Sequence, residues 1–391
     1  MRARRGFIRF GAPLIGGAEI REVAATLRSG WIGPGPRAAR FEAAFRACVG
    51  ARNAVAVSSG TAALHLALVA GEVRPGDEVV TTPMTFAATA NAIIAAGAVP
   101  VFADVDRETG NIDPLRAAAV VTRRTRAILP VHLAGRPCEM AGILRLARRR
   151  GLLVVEDASH AIEALYHGRH AGTIGDLGCF SFTHNKNITT GEGGAVTARR
   201  ARHARLARIC ATQGMTEGSW QRYRRGTSRG ARLVVPGFKY SMPDLNAAIG
   251  LVQLRNIGRW WRRRRAVWDY YGERLRGLPA GLPSRTVPGG RHALHMYSVL
   301  LDLPRLRLSR DGIRATLAGR GVGSGVHYVS LHLQPWYRRR FGYRPGDFPN
   351  ALHISERTLS LPFSPHLTDS EVEKVAETFR RLLARSAKAG T

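Results

Sequence analysis

The sequence predicts an α/β fold, a mostly parallel sheet wrapped by helices, followed by a smaller C-terminal α+β domain. Three observations carry that reading. Between residues 54 and 198 short β-branched or apolar runs alternate with helix-length segments, the pattern of a parallel sheet covered on its faces. Beyond residue 257 the composition shifts to a long basic stretch, a Gly/Pro-rich connection and a fresh strand. The 391 residues, 45% of them hydrophobic, are too many for one small core and enough for about two domains. The boundary is expected between a large domain, 1–257, and a small one, 258–391.

In chain order, Ala54-Val55-Ala56-Val57 reads as the first strand and residues 61–70 as the helix after it. Glu78-Val79-Val80-Thr81 and Val99-Pro100-Val101-Phe102 read as strands with a helix over 86–96 between them. Ala127-Ile128-Leu129-Pro130-Val131 is a further strand, followed by a helix over 140–150 and the strand Leu152-Leu153-Val154-Val155. Cys179-Phe180-Ser181-Phe182 and Ala195-Val196 complete the sheet. A helix is expected over 242–257 and a second, basic one over 260–275, then a connection over 277–290 and a strand over 295–301.

The charge balance is unusual: 59 Lys and Arg against 28 Asp and Glu leave +31. The cations are dispersed in short clusters, Arg148-Arg149-Arg150, residues 222–225, residues 262–265 and Arg338-Arg339-Arg340. No recognition helix, RNP motif or zinc finger accompanies them, so a solvated Arg-rich surface is expected rather than a specific nucleic-acid site. Only four of the 59 are lysines: Lys186, Lys239, Lys374 and Lys388. A lysine kept in a chain that otherwise uses arginine points to amine chemistry that a guanidinium cannot do. The four cysteines, Cys48, Cys138, Cys179 and Cys210, stand far apart with no CxxC, so neither a disulfide framework nor a metal site is expected and a reducing cytoplasm fits. No apolar run reaches the ~20 residues of a membrane span. The basic start, residues 1–5, precedes no apolar core of a signal peptide, so a cytoplasmic protein is expected.

Ser58-Ser59-Gly60-Thr61 stands at a strand-to-helix junction, where unpaired N–H groups can hold an anion and glycine permits close approach. A plain helix N-cap would read the same way. Glu156-Asp157 ends a strand, the edge of an open parallel sheet at which ligands bind, and His160 follows three residues later. An N-cap for a following helix is the alternative there. Lys186 lies in a polar, Gly-rich loop between two strands, where a solvated lysine is ordinary. Together, a phosphate cradle, a strand-end carboxylate, a later lysine and an aromatic at Phe86 are the parts that pyridoxal 5'-phosphate needs.

At this point the sequence resembles a known family, the DegT/DnrJ/EryC1/StrS sugar aminotransferases, fold-type I pyridoxal-phosphate enzymes. The resemblance runs from Arg28-Ser29-Gly30-Trp31 to Leu359-Ser360-Leu361-Pro362. Its specific stretches begin with Ser58-Ser59-Gly60-Thr61-Ala62-Ala63-Leu64 and residues 82–91, followed by Glu156-Asp157-Ala158-Ser159-His160-Ala161 and the Lys186 loop. Residues 243–250, His327-Tyr328 and His332-Leu333-Gln334-Pro335 extend it. The resemblance implies Lys186 as the Schiff-base lysine and proton shuttle, and Asp157 as the partner of the pyridine nitrogen. It implies His160 beside the ring, Phe86 stacked on it, and Gly60, Thr61 and Ser181 on the phosphate. It also implies a homodimer whose sites are completed by the neighbour's loop Gly237-Phe238-Lys239-Tyr240-Ser241. The family usually offers Asn at the place of Lys239 or of Ser241, and this chain has neither. Gln213-Gly214 stands where His-Gly is common.

His160 and Ala134-Gly135-Arg136-Pro137-Cys138-Glu139-Met140 are most similar to the subset that aminates C4 of a 4-keto nucleotide sugar. The implied substrates are a nucleoside-diphosphate keto sugar and an amino donor, L-glutamate. His327, Tyr328 and His332 are candidates for contacting the sugar nucleotide, or else packed core residues. A C3 aminotransferase is the rival within the family; a dehydratase, in which His replaces the lysine, is opposed by Lys186. A basic, non-catalytic protein binding nucleic acid or a membrane surface is the rival of another class.

Overall fold

The computed structural model describes residues 6–225 and 230–388, and says nothing of the Arg225 side chain. The basic start at 1–5 therefore lies outside the described residues, and of the 222–225 cluster the Arg225 side chain alone. At the centre is a seven-stranded sheet of β1 Asn53–Val57, β2 Glu78–Thr81, β3 Val99–Phe102, β4 Thr125–Ile128, β5 Leu153–Asp157, β6 Leu177–Ser181 and β7 Gly194–Ala198. The strands lie in the order β1-β7-β6-β5-β4-β2-β3. β7 runs antiparallel to both neighbours, and the remaining pairs from β6 to β3 are parallel.

Every residue of β2 and of β7 is buried, as strands covered on both faces must be. The helix Gly60–Ala70 carries no charged residue and is buried nearly all round, because it lies between the sheet and other helices. Pro130 has no N–H to give a ladder, and the strand expected over 127–131 instead occupies Thr125–Ile128, leaving Val131 a lone bridge to Asp157.

The two helices expected over 242–257 and 260–275 are one helix, Asp244–Arg274. Gly258 sits in its middle at a cost of about 1 kcal/mol relative to Ala. Burial at both ends outweighs that: Ala247 and Leu251 pack with Phe41 and Phe182, while Val267, Trp268 and Tyr271 pack in a second core. The boundary expected at 257/258 thus falls inside a continuous helix that belongs to both cores.

The second core is built on β8 Ala280–Gly281, β9 Tyr297–Leu301 and β10 Thr358–Leu361, an antiparallel sheet in that order. The helix Asp369–Ser386 covers it with Val375, Phe379 and Leu383. Ile8, near the start of the chain, also joins this core, its N–H donating to Gly321 O at 2.8 Å. Among the described residues no helix is long and apolar enough to cross a membrane.

Candidate active site

The carboxyl ends of the parallel strands deliver the functional groups. Ser59 caps the helix Gly60–Ala70, its hydroxyl accepting from Ala62 N at 3.0 Å, so the capping role is real. The N–H groups of Gly60 and Thr61 still open the helix without intrahelical partners. A Cβ on Gly60 would lie 2.6 Å from Ser181 Cβ and 2.9 Å from its hydroxyl. Only glycine therefore lets the helix start close on the end of β6, and the result is a cradle of N–H groups and a hydroxyl suited to a phosphate.

Asp157, at the end of β5, is buried, and its two oxygens accept from Thr89 Oγ1 at 2.8 Å and from Ser159 N at 3.1 Å. Thr89 is itself paired with Thr85 Oγ1 at 2.8 Å. No helix follows β5, so Asp157 is not a helix N-cap. Lys186 is half-buried, whereas Lys239, Lys374 and Lys388 are exposed. Burial pushes its ammonium down to about 8, against the pull of the Asp157 carboxylate.

His160 is buried, its Nε2 3.3 Å from Tyr328 Oη and its Nδ1 without a partner among the described residues. Burial, with Lys186 adding, holds its ring well below the ordinary imidazole value, so it is neutral at pH 7. Phe86 is 61% exposed, its ring 6.1 Å from Tyr328. His327 bonds Ser360 Oγ through Nδ1 at 2.8 Å and stacks on Phe10 at 4.9 Å. His332 stands apart: it is fully buried, with Nδ1 on Ser330 Oγ and Nε2 on Pro345 O, so both nitrogens are used in packing. Ser241 bridges Val57 of β1, and its hydroxyl donates to Ala211 O at 3.0 Å.

Four residues that the sequence reading did not single out complete the site. Thr89 holds Asp157, and Phe10 backs His327. His295 stacks on His160 with centroids 4.4 Å apart and planes 25° from parallel. Asn187 bonds His295 Nδ1 at 2.9 Å. Thr89 lies in the stretch 82–91 and Asn187 next to Lys186, but nothing local marks either; Phe10 and His295 are joined to the site only by the fold.

The residues present fit pyridoxal phosphate on three counts: a cradle that a Cβ would fill, an orphaned buried imidazole nitrogen, and a lysine whose burial favours the free amine.

Comparison with known proteins agrees. Residues 13–380 match the model of the DegT/DnrJ/EryC1/StrS aminotransferase family. The chain is 43% identical over 381 residues to the spore coat polysaccharide biosynthesis protein SpsC of Bacillus subtilis (strain 168), covering 97% of this chain and 98% of that one. Among solved structures it is similar to the aminotransferase TlmJ of Streptoalloteichus hindustanus, with 35% identity, a TM-score of 0.88 and coverage of 97% and 99%. It is also similar to Spr1654 of Streptococcus pneumoniae in its PLP form, with 31% identity, a TM-score of 0.90 and the same coverage. The expected fold-type I architecture is the one these structures share. The chain belongs to the DegT/DnrJ/EryC1/StrS aminotransferase family.

Proposed function

We propose that this pyridoxal-phosphate aminotransferase moves an amino group from L-glutamate to the C4 keto group of a sugar carried on a nucleoside diphosphate. The product would serve a cell-surface polysaccharide or glycoconjugate, and the enzyme would work in the cytoplasm as a homodimer with shared sites. The observation that carries the reading is the meeting of Lys186, Asp157 and the Gly60–Ser181 cradle at one edge of the sheet. A relative named for spore coat polysaccharide biosynthesis supports the pathway class. His160, with the Ala134 to Met140 stretch, supports C4.

When bound, the cofactor supplies a carbonyl that captures amines and a ring that accepts electrons. Gly60, Thr61 and Ser181 would hold its phosphate, Phe86 would cover its ring and Asp157 would stabilise positive charge on its ring nitrogen. Lys186 Nζ takes the α proton of the amino donor in the first half-reaction and returns a proton to the sugar carbon in the second. It can do so only as the free amine, which burial makes accessible near pH 8. Tyr328, bonded to His160, and its ring neighbour His327 would meet the sugar nucleotide; His332 has no nitrogen left for it.

The test is spectroscopic and then chemical. Purified protein loaded with pyridoxal phosphate should change its visible band on adding L-glutamate, and the aminated form should revert with a nucleotide-linked 4-keto sugar. NMR of the product locates the new amine. An amine on C3 would refute the regiochemistry, and an unchanged spectrum with every amino donor would refute the activity.

A further inference from the structure

Glu163 and Arg264 are both buried, and Glu163 Oε1 accepts a charged hydrogen bond from Arg264 Nη2. Arg264 Nε and Nη1 have no partner among the described residues, so the guanidinium depends on this one carboxylate. The other oxygen of Glu163 accepts from Asn187 Nδ2 at 2.6 Å, and the same amide nitrogen donates to Ala293 O at 2.9 Å. With both amide hydrogens committed, Asn187 Oδ1 can only accept, and His295 Nδ1 donates to it at 2.9 Å. The reversed amide would set its oxygen against a carboxylate and a carbonyl, so the orientation follows from the neighbours. His295 is kept neutral by burial, with Lys186 adding, and its Nε2 therefore holds a lone pair. This ring is the one that stacks on His160.

Asn187 is also the residue next to Lys186. Its three hydrogen bonds hold the chain immediately after the reactive lysine.

We propose that Glu163 is a positioning residue for the transamination: with Arg264 as its fixed counter-ion it orients Asn187, and through Asn187 the Lys186 loop and the His295–His160 stack. The inference rests on the aminotransferase reading. Glu163 is suited to the role because one oxygen is anchored by a charge and the other is left to aim the amide. A glutamine could serve Arg264 or Asn187 with its single oxygen, not both. The pair also keeps net charge away from Lys186. The groups facing Lys186 are Asp157, His160, His295 and His327; those facing Glu163 are Arg264, Arg291 and the Cys48 thiol.

The experiment compares Glu163→Gln, Arg264→Met, the double variant and Asn187→Ala. In cofactor-loaded protein the pH midpoint of the visible band should fall in Glu163→Gln, where a guanidinium is left uncompensated, and rise in Arg264→Met, each by roughly half a pH unit or more. The double variant should return close to wild type. In cofactor-free protein, amide hydrogen exchange of residues 185–190 should quicken in Glu163→Gln and Asn187→Ala. Both should lose about tenfold or more in kcat with little change in the KM for glutamate. Asn187→Ala leaves the ion pair intact and carries the test if Glu163→Gln does not fold. Midpoints that move together or stay fixed, with exchange of 185–190 unchanged, would reduce the pair to a link between the two cores. A wild-type protein that ignores amino donors would sink the aminotransferase reading instead, and the exchange data would still judge the positioning.

Discussion

Glu156 and Asp157 are consecutive residues at the end of β5, so the alternation of a strand sends their side chains to opposite faces. Glu156 is fully buried and accepts from Gly172 N at 2.8 Å, Ile174 N at 2.7 Å, Gly175 N at 2.6 Å and His132 Nε2 at 3.0 Å. His132 is satisfied in turn, since its Nδ1 accepts from Cys138 N at 3.0 Å. Asp157 has two donors, and around it lie a lysine held near 8 and an imidazole nitrogen with no partner. One carboxylate is saturated by four donors and closes a loop; the other, also buried, is held by two donors and keeps lone pairs free. Two acids on the same strand thus differ in their partners, which supports a structural part for Glu156 and the proposed chemical part for Asp157.

The contrast is broken most severely at Lys186. Lys186→Ala and Lys186→Arg should each lower turnover by at least about four orders of magnitude, because neither provides a reactive amine. A stability measurement sharpens the point. The folded value near 8 lies below the ordinary 10.5, so below pH 8 the fold carries a poorly solvated ammonium. Cofactor-free Lys186→Met should therefore be more stable than wild type at pH 7, by about 1–3 kcal/mol. The advantage should shrink as pH rises from about 8 to 10.5, where the folded lysine deprotonates ahead of the unfolded one. Equal denaturation midpoints at pH 7 would remove the desolvation argument.

The two carboxylates should next separate activity from stability. Asp157→Asn is expected to bind cofactor and melt normally while transamination slows by about 10²–10⁴, because a neutral amide no longer favours positive charge on the ring nitrogen. Glu156→Gln is expected to lose about 3–5 kcal/mol of stability, since four donors lose an anionic acceptor, while the folded fraction keeps its kcat. Matched kinetics and urea titrations on both variants decide it; a swap of the two outcomes would invert the assignment.

The histidines near Lys186 give a smaller, pH-dependent effect. His160 and His295 are pushed well below 6.5, and His327 to about 4, by burial with Lys186 adding. All three are neutral in the fold, so the unfolded chain takes up protons first as pH falls. Their stabilisation is present above pH 6.5 and is lost between there and the folded values. Between pH 7 and 5 the Tm of the cofactor-free protein should drop, and it should drop less in His327→Gln. An unaltered slope in that variant would place the acid sensitivity elsewhere.

The same contrast explains what the sequence could show. The helix over 140–150 is observed as Met140–Arg150, and the strands Glu78–Thr81 and Val99–Phe102 are observed at those residues, because their patterns are local and the propensities agree with the packing. The change of composition after residue 257 marks the expected boundary, and one helix runs through it with each half in a separate core, which no local signal reports. Lys186 stood out by scarcity and Asp157 by its place at a strand end. Asn187, His295 and Thr89 did not, since their partners lie 24 to 108 residues away and only the fold joins them. His332 is chemically indistinguishable from a ligand until its two buried partners are seen.

The smallest expected effect tests the proposal that the site is shared between subunits. Ser241 stands at one of the two places, with Lys239, where the family usually offers Asn, and its proton goes to Ala211 O at 3.0 Å within the same chain. To serve a neighbour's phosphate, whose oxygens only accept, the hydroxyl must turn away from that carbonyl, so the net gain is the difference between two hydrogen bonds. Ser241→Ala should therefore weaken cofactor retention by no more than about 0.5 kcal/mol, roughly twofold in Kd. Ser241→Asn carries two amide hydrogens and a longer reach, enough for Ala211 O and the phosphate together, and should tighten retention by about 1 kcal/mol, roughly fivefold. Equilibrium dialysis of pyridoxal phosphate against the three proteins makes the comparison. Identical affinities would mean that this loop does not reach the phosphate of a partner, and would turn attention to Lys239, the exposed cation two residues earlier.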